Sequence, residues 1–232
     1  MAKIVWDAVG EHFYETGVDH GVLYQVDDQG AYVNGVAWNG LTNISESPSG
    51  AEPQKLYADN MNYLTLYSAE EFGLTIEAYT YPEEFEQNDG SAVPVDGVTV
   101  GQQTRKAFGL CYRSKVGNDV KGDDLGYKLH LVYGCRAAPS ERGYATINDS
   151  PEAISFSWEV STTPVQIAGF EPSALLVIDS TKFTSQEAKA KLTTLENMLY
   201  GTEASGNDEG TAPQLPLPMT VLTTLGYVAP QQ

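Results

Sequence analysis

The sequence predicts a mainly β fold, a sandwich or barrel of short strands with one flanking α-helix and extended loops. Three observations point there. Side chains alternate apolar and polar over several short runs, turn-forming residues separate those runs, and one stretch alone carries strong helical periodicity.

The alternation is clearest from Ala153 to Val160, where Ile154, Phe156, Trp158 and Val160 share one face and Ser155, Ser157 and Glu159 the other. Period two marks a half-buried strand. Residues 127–133 alternate in the same way, as do Phe108, Leu110 and Tyr112, so residues 107–134 read as a β-hairpin. Its two clusters, Gly117-Asn118-Asp119 and Gly122-Asp123-Asp124, suit a long loop. Further strands are expected at 21–26, 31–37, 73–81, 163–168 and 174–179, bounded by turn residues such as Asp27-Asp28-Gln29-Gly30. So many short strands suit a sandwich or barrel.

The helix is expected over residues 184–200. Thr184 can cap it with Glu187 reaching back, Phe183 begins a hydrophobic staple, and Leu192, Leu195 and Leu199 repeat at helical spacing before Gly201. Short helical turns at 82–88 and 218–225 each open at or near a proline. One domain spans 1–232, with an N-terminal arm at 1–20 and a C-terminal arm at 201–232. Residues 39–62, with Ser47-Pro48-Ser49-Gly50-Ala51-Glu52-Pro53 at their centre, read as a long irregular loop. Residues 201–213, which hold no aliphatic side chain larger than alanine, read as an exposed loop.

Charge is segregated along the chain. The formal net charge is -18, with 13 basic against 31 acidic side chains. Residues 1–100 carry 2 basic and 17 acidic side chains, whereas residues 101–142 carry 8 basic and 4 acidic. An excess of acid argues against tight nucleic-acid binding, which rests on Lys and Arg releasing counterions from phosphates. The acid either keeps the protein soluble or lines a surface past which DNA slides without sticking. No run of apolar residues is long enough for a membrane span, and acid at Asp7 interrupts any signal-like start, so synthesis in a cytoplasm is expected. Cys111 and Cys135 are expected as reduced thiols.

The chain carries no G-x-S-x-G elbow, no phosphate-binding loop, no dinucleotide turn and no H-E-x-x-H pair. His12, His20 and His130 stand apart, without cysteines at zinc-ligand spacing. His130 reads as a solvated or cross-strand partner rather than a base, and acid pairs such as Glu70-Glu71 and Glu83-Glu84 as solvated faces. The 14 tyrosines read as core and interface before sugar platform. No enzyme, cofactor or metal is expected.

Several runs then resemble one family: Ala37-Trp38-Asn39-Gly40-Leu41, Ser45 through Pro53, Leu56-Tyr57-Ala58-Asp59-Asn60, Ser68 through Gly73, Ala78-Tyr79-Thr80-Tyr81-Pro82, Tyr127 through Leu131, and Asn148 through Ala153. They are similar to the major tail proteins of long, non-contractile-tailed phages, over roughly residues 20–200. The resemblance implies a tail-tube β-sandwich whose copies form rings, hexameric in the family, stacked into a tube that conducts DNA without binding it. It implies a virion location, no membrane, and as partners other copies of the chain and tail components such as tape measure, terminator and distal tail proteins. A carbohydrate-binding or adhesin-like sandwich is the alternative. Residues 39–62 and 201–213 are expected to bridge subunits, and the basic segment from Arg105 to Arg142 to meet acid of a neighbour. Candidate contacts are Arg105, Arg113, Lys115 and Lys121 on the basic side, and Glu46, Glu52 and Asp59 on the acidic side.

Overall fold

The computed structural model describes residues 4–147, 149, 152–204 and 209–229. Its strands follow in the order β1 (Phe13–Val26), β2 (Tyr32–Trp38), β3 (Leu41–Glu46), β4 (Ser49–Gly50), β5 (Pro53–Ala58), β6 (Met61–Tyr67), β7 (Glu70–Glu71) and β8 (Gly73–Ala78). After a 3-10 turn (Glu83–Gln87) come β9 (Ala92–Val95), β10 (Val98–Val100), β11 (Phe108–Asn118), β12 (Gly122–Ala137), β13 (Phe156–Ser161) and β14 (Leu175–Asp179). Two helices close the chain, α1 (Gln186–Tyr200) and α2 (Pro218–Thr224). The fold is mainly β, as the alternation predicts.

Eight strands form one open antiparallel sheet in the order β2-β1-β11-β12-β13-β8-β3, with β14 also paired to β12. The central strands are buried on both faces, because consecutive residues feed two different cores. Leu23, Leu110, Tyr112 and Val132 join Trp38, Leu74, Ile76, Phe85 and Trp158 in one cluster. Their neighbours Val22, Tyr24, Cys111, Leu131 and Tyr133 join Leu192, Leu195 and Leu199 of α1, with Leu215 and Val221, in the other. The first cluster fills the space inside the curled sheet. The second lies under the helices.

Curling depends on β12, which pairs with β11 and β14 along most of its length and meets β13 only at Arg136 and Ala137. Gly134 sits at that corner with φ +62, and a Cβ there would lie 2.3 Å from the Thr163 carbonyl oxygen. Only glycine offers both the left-handed backbone and the close approach.

The helical elements match expectation closely. Ser185, one residue past Thr184, caps α1 by accepting from the Ala188 amide at 3.1 Å, and Glu187 pairs with Lys191 instead of reaching back. With Ser185 as the cap, Glu187 falls at the second helical position, one short of the third, from which a capping-box carboxylate reaches back. Cys111 and Cys135 are free and buried.

Four expectations need correction. Residues 39–62 are not an irregular loop: they supply β3, β4, β5 and the start of β6. Residues 163–168 form no strand, only the single bridge Val165 to Ser173. The β11–β12 connection is short, since β11 runs to Asn118 and β12 begins at Gly122. Both terminal arms are shorter than expected. Strand β1 begins at Phe13, and the C-terminal segment pairs Leu215 with Tyr32 before burying Leu215 and Val221. Residues 205–208 and 230–232 of the expected C-terminal arm, and 148, 150 and 151 of the resemblance runs, lie outside the described residues.

Candidate functional site

One excursion of the chain stands apart from both cores. Strand β3 pairs with β8, β4 with β7, and β5 with β6, so residues 41–78 form one long hairpin whose root lies in the sheet. Its outer part, β5 and β6, forms a separate two-stranded sheet, roughly 20 Å long for six residues of strand. Pro48 falls in the break between β3 and β4, and Pro53 is the first residue of β5, a strand position that tolerates a missing N–H donor. Asp59 and Asn60 close the tip with φ 51 and 63. Two successive left-handed residues make the turn whose twist fits a two-residue hairpin.

Every residue of β5 and β6 except Thr65 is exposed. Pairing sorts the side chains into two faces. Pro53 opposes Tyr67 and Lys55 opposes Thr65, so alternation along each strand turns Tyr57, Tyr63 and Tyr67 toward one face, with a register shift beyond Leu56 that sets Tyr57 opposite Asn62. Leu56 opposes Leu64 and Gln54 opposes Leu66, which puts three leucines on the other. The tyrosines are 70%, 72% and 72% exposed. An isolated hairpin is marginal in water, and one apolar on both faces has nothing of its own to bury them. Exposed apolar side chains also mark the first residues described, Ile4, Val5, Trp6 and Val9, and the small β9–β10 hairpin at Val93, Val95, Val98 and Val100.

The candidate contact residues fall into separate groups. Glu52 and Asp59 lie on the projecting ribbon and are exposed. Lys121 is exposed at the β11–β12 turn, whereas Lys115 lies on β11 itself, opposite Thr16 and Tyr127, rather than on a projecting loop. That turn is held down: the Asp119 carboxylate accepts from the Gly10 amide at 3.0 Å, and Asn118 donates to the Gly10 carbonyl at 2.8 Å. Arg105 is half-buried, with its Nε hydrogen-bonded to nothing among the described residues.

Arg113 is engaged within its own chain. Its guanidinium donates to both oxygens of Asp19, at 2.7 and 3.2 Å, and sits 4.9 Å from the centre of the Tyr127 ring. That pairing holds the Asp19 carboxyl below its ordinary range. Lys128 pairs with Glu15 and Arg142 with Asp89. Three of the eight cations of the basic segment thus already meet acid from residues 1–100 of the same chain, which leaves a smaller charge difference for a neighbour to answer.

Glu46 is also engaged internally. Its Oε1 accepts from the Tyr112 hydroxyl at 2.5 Å and lies 3.0 Å from His130 Nδ1. His130 Nε2 lies 3.0 Å from the Ser114 hydroxyl, and the imidazole stacks on the Tyr112 ring at 4.6 Å and 8°. Opposite positions on β11 and β12 make the Tyr112–His130 stack. His130 is thus the cross-strand partner expected of it, but buried rather than solvated. Burial pushes its pKa down, outweighing the raising effect of the Glu46 carboxylate, with the Lys128 charge adding to the decrease.

The sequence reading missed the ribbon tyrosines and leucines. Their signal is Asp59-Asn60 between two runs of alternating strand formers, hidden by the prolines and glycine that precede it.

No family model matches the chain. No curated protein matches it either. Among solved structures, a chain from the cryo-EM structure of the anti-feeding prophage (AFP) baseplate, 6-fold symmetrised, aligns with 75% of this chain and 97% of its own length, at 10% identity and a TM-score of 0.35. A likeness that slight does not decide what this chain does.

Proposed function

We propose that this chain is a structural subunit of a phage tail, whose copies assemble into rings of six that stack into a tube for DNA. The observation that carries the reading is the β5–β6 ribbon, apolar on both faces and outside both cores. A second copy of the chain supplies what such an element lacks, a surface on each side. Strand β3 ends the main sheet next to the ribbon's root, and pairing of sheet edges around a closed ring removes exposed edges. Rings with unlike top and bottom surfaces then stack without limit. The remaining excess of acid suits a lumen that repels phosphate.

The three tyrosines on one ribbon face also fit the carbohydrate-platform alternative. The leucines on the opposite face favour protein, because a sugar platform has no use for a second apolar face. Negative-stain microscopy of concentrated protein tests the proposal, alone and seeded with a tail-tip complex. Rings or tubes are expected from the intact chain and none from a chain whose residues 53–67 are replaced by a short Gly-Ser turn. A seeded intact chain that stays monomeric overturns the proposal, and glycan-array binding by that monomer would support the alternative.

A further inference from the structure

Ser114, His130 and Glu46 come from three different strands and lie in one line of contacts. Ser114 Oγ is 3.0 Å from His130 Nε2, and His130 Nδ1 is 3.0 Å from Glu46 Oε1. An ionised carboxylate only accepts, so the proton of the neutral ring sits on Nδ1, and Nε2 is left to accept from the serine hydroxyl. That is the arrangement of nucleophile, base and orienting acid, which is recognised by geometry and not by order in the chain. The Tyr112 hydroxyl gives Glu46 a second donor, and the stacked Tyr112 ring fixes the plane of the imidazole.

The three groups line a concavity of about 320 Å³ with Val18 and Ile44 as apolar wall. Across the sheet from Ser114, the register between β1 and β11 shifts between Thr16–Lys115 and Asp19–Arg113, so Gly17 and Val18 together oppose one residue. Bulges of this kind re-aim backbone groups. Gly17 takes φ +69, and space for a Cβ beside it is open, which keeps the approach to the serine clear.

We propose that Ser114 is an activated nucleophile that accepts the acyl group of small, uncharged carboxylic esters, with His130 as general base and Glu46 orienting it. In the first step the Ser114 Oγ–acyl carbon bond forms while the hydroxyl proton moves to His130 Nε2. The ester C–O bond then breaks, and the proton leaves with the alcohol. Water, deprotonated by His130, releases the carboxylic acid and restores the serine. The Glu46 carboxylate at the wall disfavours acyl groups that carry their own negative charge. The neutral imidazole required of a base is favoured by the burial of His130. This chemistry is independent of assembly.

The test uses the full chain, a fluorophosphonate probe read by intact mass and peptide mapping, and p-nitrophenyl acetate hydrolysis. One adduct on Ser114 is expected, absent in Ser114→Ala. His130→Gln should slow its formation at least 100-fold, within the usual range for loss of a general base. The rate should rise with pH to a plateau, with a midpoint below that of a free imidazole. Circular dichroism confirms that both variants keep the β fold, and Thr16→Ala, which leaves all three groups in place, serves as the folding-neutral comparison. Adduct elsewhere than Ser114, or an undiminished rate in folded His130→Gln, overturns the proposal, as does the lack of any adduct on the folded wild-type chain.

Discussion

The ribbon tyrosines offer the sharpest test of assembly, because removing them should leave the subunit alone. Tyr57, Tyr63 and Tyr67 are each about seven-tenths exposed. A tyrosine presents roughly 200 Å² in all, so about 140 Å² of each awaits burial, worth at most about 3.5 kcal/mol at 25 cal/mol per Å². Side-chain ordering and incomplete burial commonly halve such a figure, leaving about 1.5–2 kcal/mol, or ten- to thirty-fold in association constant. Tyr63→Ser should therefore raise the critical concentration for ring or tube formation at least ten-fold, and the triple serine variant by about a thousand-fold or more. Sedimentation velocity over a concentration series reads the assembly, and urea unfolding of the dilute monomer reads stability. The monomer should unfold at an unchanged urea midpoint. Unaltered assembly in the triple variant would refute the reasoning, and a large loss of monomer stability would show that the ribbon packs on its own subunit.

Two further outcomes follow from the interior. Gly134→Ala combines a left-handed backbone with a Cβ driven against the Thr163 carbonyl, so it should cost about 3 kcal/mol or more in urea unfolding; a change under half that would mean the β12 corner adjusts freely. His130 has its folded pKa below the ordinary value. The unfolded chain therefore takes up more protons as pH falls through about 6.5, and stability present at neutral pH is lost below it, levelling off beneath the folded pKa. In His130→Gln that part of the pH dependence should vanish, and an identical pH profile for both chains would remove His130 from the account.

Much of the fold is legible in the sequence because period and capping are local properties. Alternation at Phe156, Trp158 and Val160 declares a strand wherever it ends up, although pairing with β8 starts the strand at Phe156 rather than Ala153. Leu192, Leu195 and Leu199 declare a helix, and all three are buried under it. Period does not say which residues meet across the chain. The 39–62 segment misleads for that reason: Pro48, Gly50 and Pro53 look like breakers, yet Pro48 falls in a short gap between strands, Gly50 pairs with Glu70 and Pro53 with Tyr67, positions set only by the register with residues 67–78. Charge segregation is visible in composition, but Arg113 meets Asp19 and Lys128 meets Glu15 only because β1 and β12 flank β11. Likewise, Glu46, Ser114 and His130 are far apart along the chain, and it is the pairing of β11 with β12 and the curl that brings β3 over them that puts an acid, an imidazole and a hydroxyl within hydrogen-bond reach.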